Sequence, residues 1–428
     1  MRENSPSGGI AGSLGLNEHS VDALNSRFYN RFSFPWPAAT FRAADDRDFG
    51  PIFLGQDLGD WSGHRISPGS QIWVAGCGTN QAIITALRFP EAAVLGTDIA
   101  DRSLEICQKS AENLGVANLT LSKSSLNGPI QSKQFDYIIC TGVIHHNTNP
   151  SSALRNLAAS LKQSGVLELM VYNSMHRSVP QTVQRAMRLL MANSAGDTPD
   201  VQLRIIRSMM DKFPLENSVH QAWIDLKDLP EEMVADTFLQ PVEWSYTVDS
   251  LQDLLRGAGL EYVLPCLNQF DGMAERLDWN LKLDDESICR RYYSLSDIER
   301  WTVSNLLMAE MSPMLWFYVQ RQDSPHARIP ERQVCERFAE TRFEKYSCGA
   351  FNYIRSSSGY SRAGKAFTIP APSVPIDELS RRVFEIVDGR RTIGEVLSGM
   401  DIEPTFTVLN HIRLRLTTAI FPYLKATE

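Results

Sequence analysis

Residues 71–80 read Gln-Ile-Trp-Val-Ala-Gly-Cys-Gly-Thr-Asn, a short apolar run that breaks into a Gly-x-Gly turn. A second apolar run ends at Asp98, about twenty residues further on, the spacing used to hold nucleotide-type ligands. Gly76 and Gly78 have no Cβ, so the backbone can turn sharply and let a ligand approach. An acid at the tip of the following strand can accept hydrogen bonds from ribose hydroxyls. This stretch predicts a nucleotide-like ligand at the carboxyl end of a sheet.

Outward from it, strand and helix patterns alternate. Strands are predicted at 71–75, 93–98, 119–123, 135–141 and 165–172, and helices at 80–88, 102–114 and 150–161. Apolar runs separated by amphipathic, helix-length segments imply a parallel sheet covered on both faces, a doubly wound α/β domain. Residues 249–258 read as a helix closed at Gly259, and the apolar runs 260–266 and 313–320 as strands that complete the sheet. Two insertions, 173–247 and 268–312, follow strand carboxyl ends. Ligands of open α/β sheets bind there, so the insertions are expected to build a substrate chamber.

The chain has 428 residues, 43% hydrophobic and 21% charged, more than one hydrophobic core usually organises. Its net charge of −8 argues against a general nucleic-acid binder. No stretch reaches the roughly twenty apolar residues of a membrane span, and no secretion signal opens the chain, so a soluble, cytoplasmic protein is expected. The seven cysteines are scattered without a Cys-x-x-Cys pair, which points to reduced thiols rather than a metal centre.

The run of strand, glycine turn, helix and acid-tipped strand, followed by Phe135-Asp136-Tyr137-Ile138-Ile139-Cys140-Thr141, resembles the class I S-adenosylmethionine-dependent methyltransferases. So does Thr141-Gly142-Val143-Ile144-His145-His146, which is similar to the segment after the fourth strand of many small-molecule methyltransferases. The resemblance implies a Rossmann-like sheet with S-adenosylmethionine as cofactor and S-adenosylhomocysteine as product. It places the methionine and ribose part over Ala75, Gly76, Cys77 and Gly78, with Asn80 and Gln81 just beyond. Asp98 and Ile99 fall at the ribose, Ser125 and Leu126 at the adenine, and Thr141 and Gly142 at the end of the fourth strand. The chain departs from the family pattern in lacking an acid before the turn, in carrying Asn80 where a third glycine is common, and in Ser125 at a frequent aspartate position. An NAD-type oxidoreductase, which prefers Gly or Ala at position 80, and a non-catalytic binding or regulatory protein of the same fold are the competing readings.

His145 and His146 are candidate proton carriers, because the unperturbed imidazole titrates near pH ~6.5; either could instead satisfy loop backbone groups. Tyr172 ends the fifth strand and either orients the acceptor or fills the sheet edge. Arg177 reads as a surface or loop-pairing residue, or as a contact for an acidic substrate group. Val171-Tyr172-Asn173, the Asp236–Pro241 run and Tyr246-Thr247-Val248 resemble a subgroup of bacterial methyltransferases. The expected acceptor is an N or O nucleophile on a small molecule or peptide, in natural-product or peptide modification.

Four stretches are expected. Residues 1–45 form an N-terminal segment, disordered to about residue 20 and then crowded with Phe28, Tyr29, Phe32, Phe34 and Trp36, which either packs on the main domain or closes over the cofactor as a lid. Residues 46–320 form the methyltransferase domain, 321–370 a connector stiffened beyond its end by Pro370, Pro372 and Pro375, and 371–428 a small module. In the module, Asp388-Gly389 makes a turn and Thr392 and Glu395 form a capping box. Residues 381–396 resemble the winged-helix-like peptide chaperone of pyrroloquinoline quinone biosynthesis, which implies leader-peptide or partner capture; packing or homodimerisation is the plainer role.

Overall fold

In the computed structural model the described residues are 18–35, 40–61, 65–128, 133–191, 198–214, 216–267, 278–312, 314–356, 359–368 and 377–427. The expected disorder of residues 1–17, Trp36 at the end of the aromatic segment, and the prolines at 370, 372 and 375 lie outside them.

Among the described residues twelve strands follow in chain order: β1 (Thr40–Ala44), β2 (Gln71–Ala75), β3 (Ala93–Asp98), β4 (Leu119–Lys123), β5 (Phe135–Thr141), β6 (Leu161–Tyr172), β7 (Leu260–Pro265), β8 (Met314–Arg321), β9 (Phe343–Lys345), β10 (Gly349–Ser356), β11 (Gly359–Thr368) and β12 (Leu424–Ala426). Seven make the central sheet in the order β4-β3-β2-β5-β6-β8-β7, and β8 runs antiparallel to both neighbours. Val74 pairs with Gly96 on one side and Ile139 on the other, so the inner strands are buried on both faces. This accounts for their near-continuous apolar sequences. The dinucleotide-binding order lacks an antiparallel strand inserted before the last one, so the sheet does not support the oxidoreductase reading.

One face is covered by helices Pro150–Ser160, Val248–Gly257 and Asp297–Met308, the other by Phe49–Asp57, Gln81–Arg88 and Asp101–Leu114. The first insertion folds into helices Ser174–Met191, Pro199–Asp211, Ser218–Leu226 and Glu231–Phe238. Their shared core includes Val183, Met187, Ile206, Trp223 and Phe238, and it takes Phe28 from an N-terminal helix, Glu18–Arg31, and Phe32 from just past its end. Phe28, Tyr29 and Phe32 of the aromatic segment thus pack against the insertion, whereas the Phe34 side chain is exposed. Residues 18–20, expected to be disordered, belong to that helix.

The stretch 321–370 is more than a connector. Helix Glu331–Glu340 sends Cys335 and Phe338 into the same core as Val383, Ile393, Leu397 and Ile412, and β9 pairs with β12. The terminal unit therefore starts near residue 331, with helices Glu378–Ile386, Ile393–Ser398 and Phe406–Leu416 completing it. The capping box of Thr392 and Glu395 is formed. The unit grips the main domain: Gln56 Nε2 donates to the carbonyls of Thr417 (2.7 Å) and Leu424 (3.1 Å), and Gln56 Oε1 accepts from the Ala426 N–H (2.9 Å). Within the expected connector, β10 pairs with β1 and β11 pairs with β10 in a three-stranded sheet. No helix among the described residues is long and apolar enough to cross a membrane.

Candidate active site

The chain turns at the end of β2 with Gly76 at φ 69° and Gly78 at φ 54°, conformations that side chains disfavour. A Cβ on Gly76 would stand 2.3 Å from a methyl of Val143, and one on Gly78 2.8 Å from the Phe34 carbonyl oxygen. The turn is tied to the next strand twice. Cys77 N–H donates to the Thr97 carbonyl (2.9 Å), and Gly78 N–H donates to Asp98 Oδ2 (2.9 Å). Asp98 Oδ1 accepts from the Ala100 N–H at 2.9 Å. Burial pushes the Asp98 carboxyl above its ordinary range while the backbone donors pull it back. A carboxylate has about four lone-pair sites, so Asp98 keeps acceptor capacity for ribose hydroxyls after meeting both backbone donors.

The other residues expected at the cofactor gather at the same carboxyl edge. Ala75 is the buried end of β2, and Gln81 opens the helix after the turn. Asn80 Nδ2 donates to Tyr360 Oη (3.1 Å), and the Ile99 carbonyl accepts from Ser26 Oγ (3.0 Å). Ser125 Oγ accepts from the Asn127 N–H (3.0 Å), and the carbonyl of buried Leu126 accepts from Asn156 Nδ2 (2.7 Å). Thr141 ends β5, and Gly142 turns away at φ 78° with its N–H on the Met170 carbonyl (3.2 Å).

A second group lies beside the first, at the ends of β5 and β6. His145 is fully buried, its ring stacked on Tyr172 at 4.0 Å between centroids, and neither ring nitrogen has a hydrogen-bond partner. Burial, with His146 and Arg177 adding to it, holds its pKa well below 6.5, so the ring is neutral at pH 7. His146 is differently used: Nδ1 lies 2.8 Å from the Val242 carbonyl, which can only accept, so Nδ1 carries the proton. Tyr172 Oη donates to Asp236 Oδ2 at 3.4 Å, and Gln240 Nε2 donates to Asp236 Oδ1 (2.6 Å) and to Tyr29 Oη (2.9 Å). Burial raises the Asp236 pKa. Tyr29 stands within electrostatic reach of Asp236, Tyr172 and Asp98, and so links the two groups.

The N-terminal helix crosses all of these strand ends. Asp22 Oδ1 accepts from Asn127 Nδ2 after β4 (3.3 Å), Asn25 Nδ2 donates to the His146 carbonyl after β5 (2.8 Å), and Asn30 Oδ1 accepts from the Arg102 N–H beyond β3 (3.0 Å). With Ser26 and Tyr29 these positions fall three or four apart, one helical face. Asn25, Ser26, Gln240 and Glu243 were not singled out from sequence. Asn25 and Ser26 carry only this helical spacing as a local signal, and Gln240 and Glu243, beyond the end of helix Glu231–Phe238, carry none.

Arg177 is not a surface residue. It is buried, with Nε on Glu243 Oε1 (2.8 Å) and Nη2 on Glu243 Oε2 (2.5 Å), and its guanidinium lies 4.3 Å over the Tyr172 ring. The Glu243 carboxylate raises the Arg177 pKa against the effect of burial. Because Arg177→Met leaves Glu243 buried without its cation, the variant should lose about 3–5 kcal/mol in urea-induced unfolding. A change within about 1 kcal/mol would mean that the pair contributes no more than a solvent-exposed one.

The fold is that of a Rossmann-like methyltransferase sheet. Residues 67–233 match the family model of the methyltransferase domain. An uncharacterized protein from Synechococcus sp. is 28% identical over 253 residues, which cover 57% of this chain and 58% of that relative, so the chain spans little more than half of the relative's length. The structure of PKMT2 from Rickettsia typhi superposes with a TM-score of 0.56 at 14% identity, covering 92% of this chain and 77% of that one. The same protein in complex with AdoHcy gives 0.55 at 12% identity, covering 89% and 76%.

Proposed function

We propose that the chain is an S-adenosylmethionine-dependent methyltransferase whose acceptor is a nitrogen nucleophile on a small molecule or peptide. The observation that carries the reading is the tie between the Gly76–Gly78 turn and Asp98, set beside the buried His145–Tyr172–Asp236 group, of which His145 and Tyr172 lie within the matched residues 67–233. The residues suit the cofactor: the glycine turn is held against the acid-tipped end of β3, Asp98 retains acceptor sites, and Asn25 Oδ1 and Asn127 Oδ1 are buried without partners beside them. When bound, S-adenosylmethionine supplies an electrophilic methyl on a sulfonium centre.

The chain's own residues then position and deprotonate. Asp236, Gln240 Oε1 and one His145 nitrogen are hydrogen-bond acceptors, and Gln240 Oε1 and both His145 nitrogens are buried without partners. A group carrying N–H donors satisfies such a set better than a hydroxyl, which has one proton to give. The Tyr172 ring, held between His145 and the Arg177 guanidinium, fixes the acceptor's direction of approach. His145, neutral and unpartnered, takes the proton.

Isothermal calorimetry with S-adenosylhomocysteine tests the cofactor half, with one-to-one binding expected. Absence of heat at high-micromolar ligand would overturn it and favour a binding or regulatory protein that keeps only the fold.

A further inference from the structure

The hairpin β10–β11 lies in the stretch read as a connector, yet it reaches the glycine turn from more than 270 residues away. It is built for that position. β10 pairs with β1 in register from Thr40↔Ile354 to Ala44↔Ala350, and β11 lies against helix Asp101–Leu114, where Tyr360 N–H donates to Ser110 Oγ (2.9 Å). A Cβ on Gly359 would come within 2.7 Å of that same hydroxyl, so the strand sits directly on the helix. From this platform Tyr360 Oη accepts from Asn80 Nδ2. Arg355 Nη1 donates to the Pro35 carbonyl (2.5 Å) and to Thr79 Oγ1 (3.4 Å), and its Nη2 donates to Ser33 Oγ (3.3 Å).

These contacts join three parts of the chain. Ser33 and Pro35 follow directly on the helix that crosses the strand ends, and Thr79 belongs to the glycine turn. Between them the Phe34 carbonyl accepts from the Thr79 N–H at 3.0 Å and occupies the space a Gly78 side chain would need. A guanidinium presents five donors in a fixed fork, so one Arg355 can hold both sides of this joint at once, whereas lysine offers three donors on a single centre.

We propose that Arg355 is a positioning residue that latches the segment 33–35, and with it the helix Glu18–Arg31, over the cofactor turn, and so governs cofactor exchange. The proposal rests on the methyltransferase reading above. Ligand bound between the turn and the helix must wait for that helix to lift. Weakening the latch then speeds both entry and escape, whereas loss of a direct ligand contact speeds escape alone.

The test is stopped-flow S-adenosylhomocysteine exchange with Arg355→Gln, Arg355→Lys and Tyr360→Phe in the full chain, together with the unfolding midpoint without ligand. For Arg355→Gln, association and dissociation rates should both rise roughly fivefold or more, with the midpoint held and Arg355→Lys intermediate. Amide exchange in residues 24–33 should rise in parallel. Tyr360→Phe, which leaves the Arg355 contacts in place, should change the rates much less. Unchanged rates, or faster dissociation with unchanged association, would overturn the latch while leaving the cofactor assignment intact. If Arg355→Gln does not fold, Arg355→Lys decides on the same two rates. Failure of the wild-type chain to bind S-adenosylhomocysteine removes the methyltransferase reading instead.

Discussion

Asp98→Ala is expected to weaken S-adenosylhomocysteine binding by roughly 10²–10⁴-fold, the largest effect of any single change at the cofactor turn. Hydrogen bonds to a charged group contribute about 1.5–3 kcal/mol each, and two ribose hydroxyls on one carboxylate account for the range. The substitution also frees the N–H groups of Gly78 and Ala100, so the turn loses the side chain that sets its distance from β3. Asp98→Asn separates the two contributions. It retains Oδ1 for the Ala100 N–H but presents an amide where the Gly78 N–H donates, and its binding should fall between wild type and alanine. Calorimetry on the three proteins checks this. An alanine variant that binds within about threefold of wild type would show that the ribose is held elsewhere and would remove the central support of the cofactor assignment.

The second large effect is expected in turnover. His145→Ala should lower kcat by roughly 10²–10⁴-fold, the contribution a positioned base makes, with little change in S-adenosylhomocysteine affinity. The pH profile gives the sharper criterion. A base works unprotonated, and His145 is held neutral by burial to well below 6.5. Its protonation therefore appears as a loss of kcat on the acid side, below the ordinary histidine range. Near and above pH 7 the His145 contribution is flat, and any rise there belongs to the acceptor. An inflection in wild type near 6.5 that vanishes in His145→Ala would show a solvated imidazole in place of the buried one. Unchanged kcat would mean that the acceptor arrives deprotonated and that His145 only packs on Tyr172. Asp236→Asn serves as the companion: loss of the carboxylate should raise KM for an amine acceptor more than it lowers kcat.

Several features were legible because their signals are local. Gly76, Gly78 and Asp98 lie within one βαβ unit, where strand length, turn chemistry and spacing are set by neighbours in the chain. The same holds for the strands at 260–265 and 314–321 and for the capping box at Thr392. Pairing with a loop was among the readings of Arg177, but its partner and burial were not legible, because Glu243 lies 66 residues away and only the return of the insertion brings it to a buried guanidinium. Nor was the start of the terminal unit, since helix Glu331–Glu340 puts only a few apolar residues, Cys335 and Phe338 among them, against its core.

Sequence by itself determined the sheet, its completing strands and the glycine turn with its acid, since each is a periodicity or a short spacing that backbone geometry translates directly. Tertiary structure alone decided how that edge is enclosed. The helix Glu18–Arg31 crosses the strand ends, Gln240 and Asp236 meet Tyr29 and Tyr172, and Arg355 reaches Pro35 across 320 positions. The physical reason is that the glycine turn is made by adjacent peptides, whereas its enclosure is made by side chains whose partners are chosen only when distant segments pack.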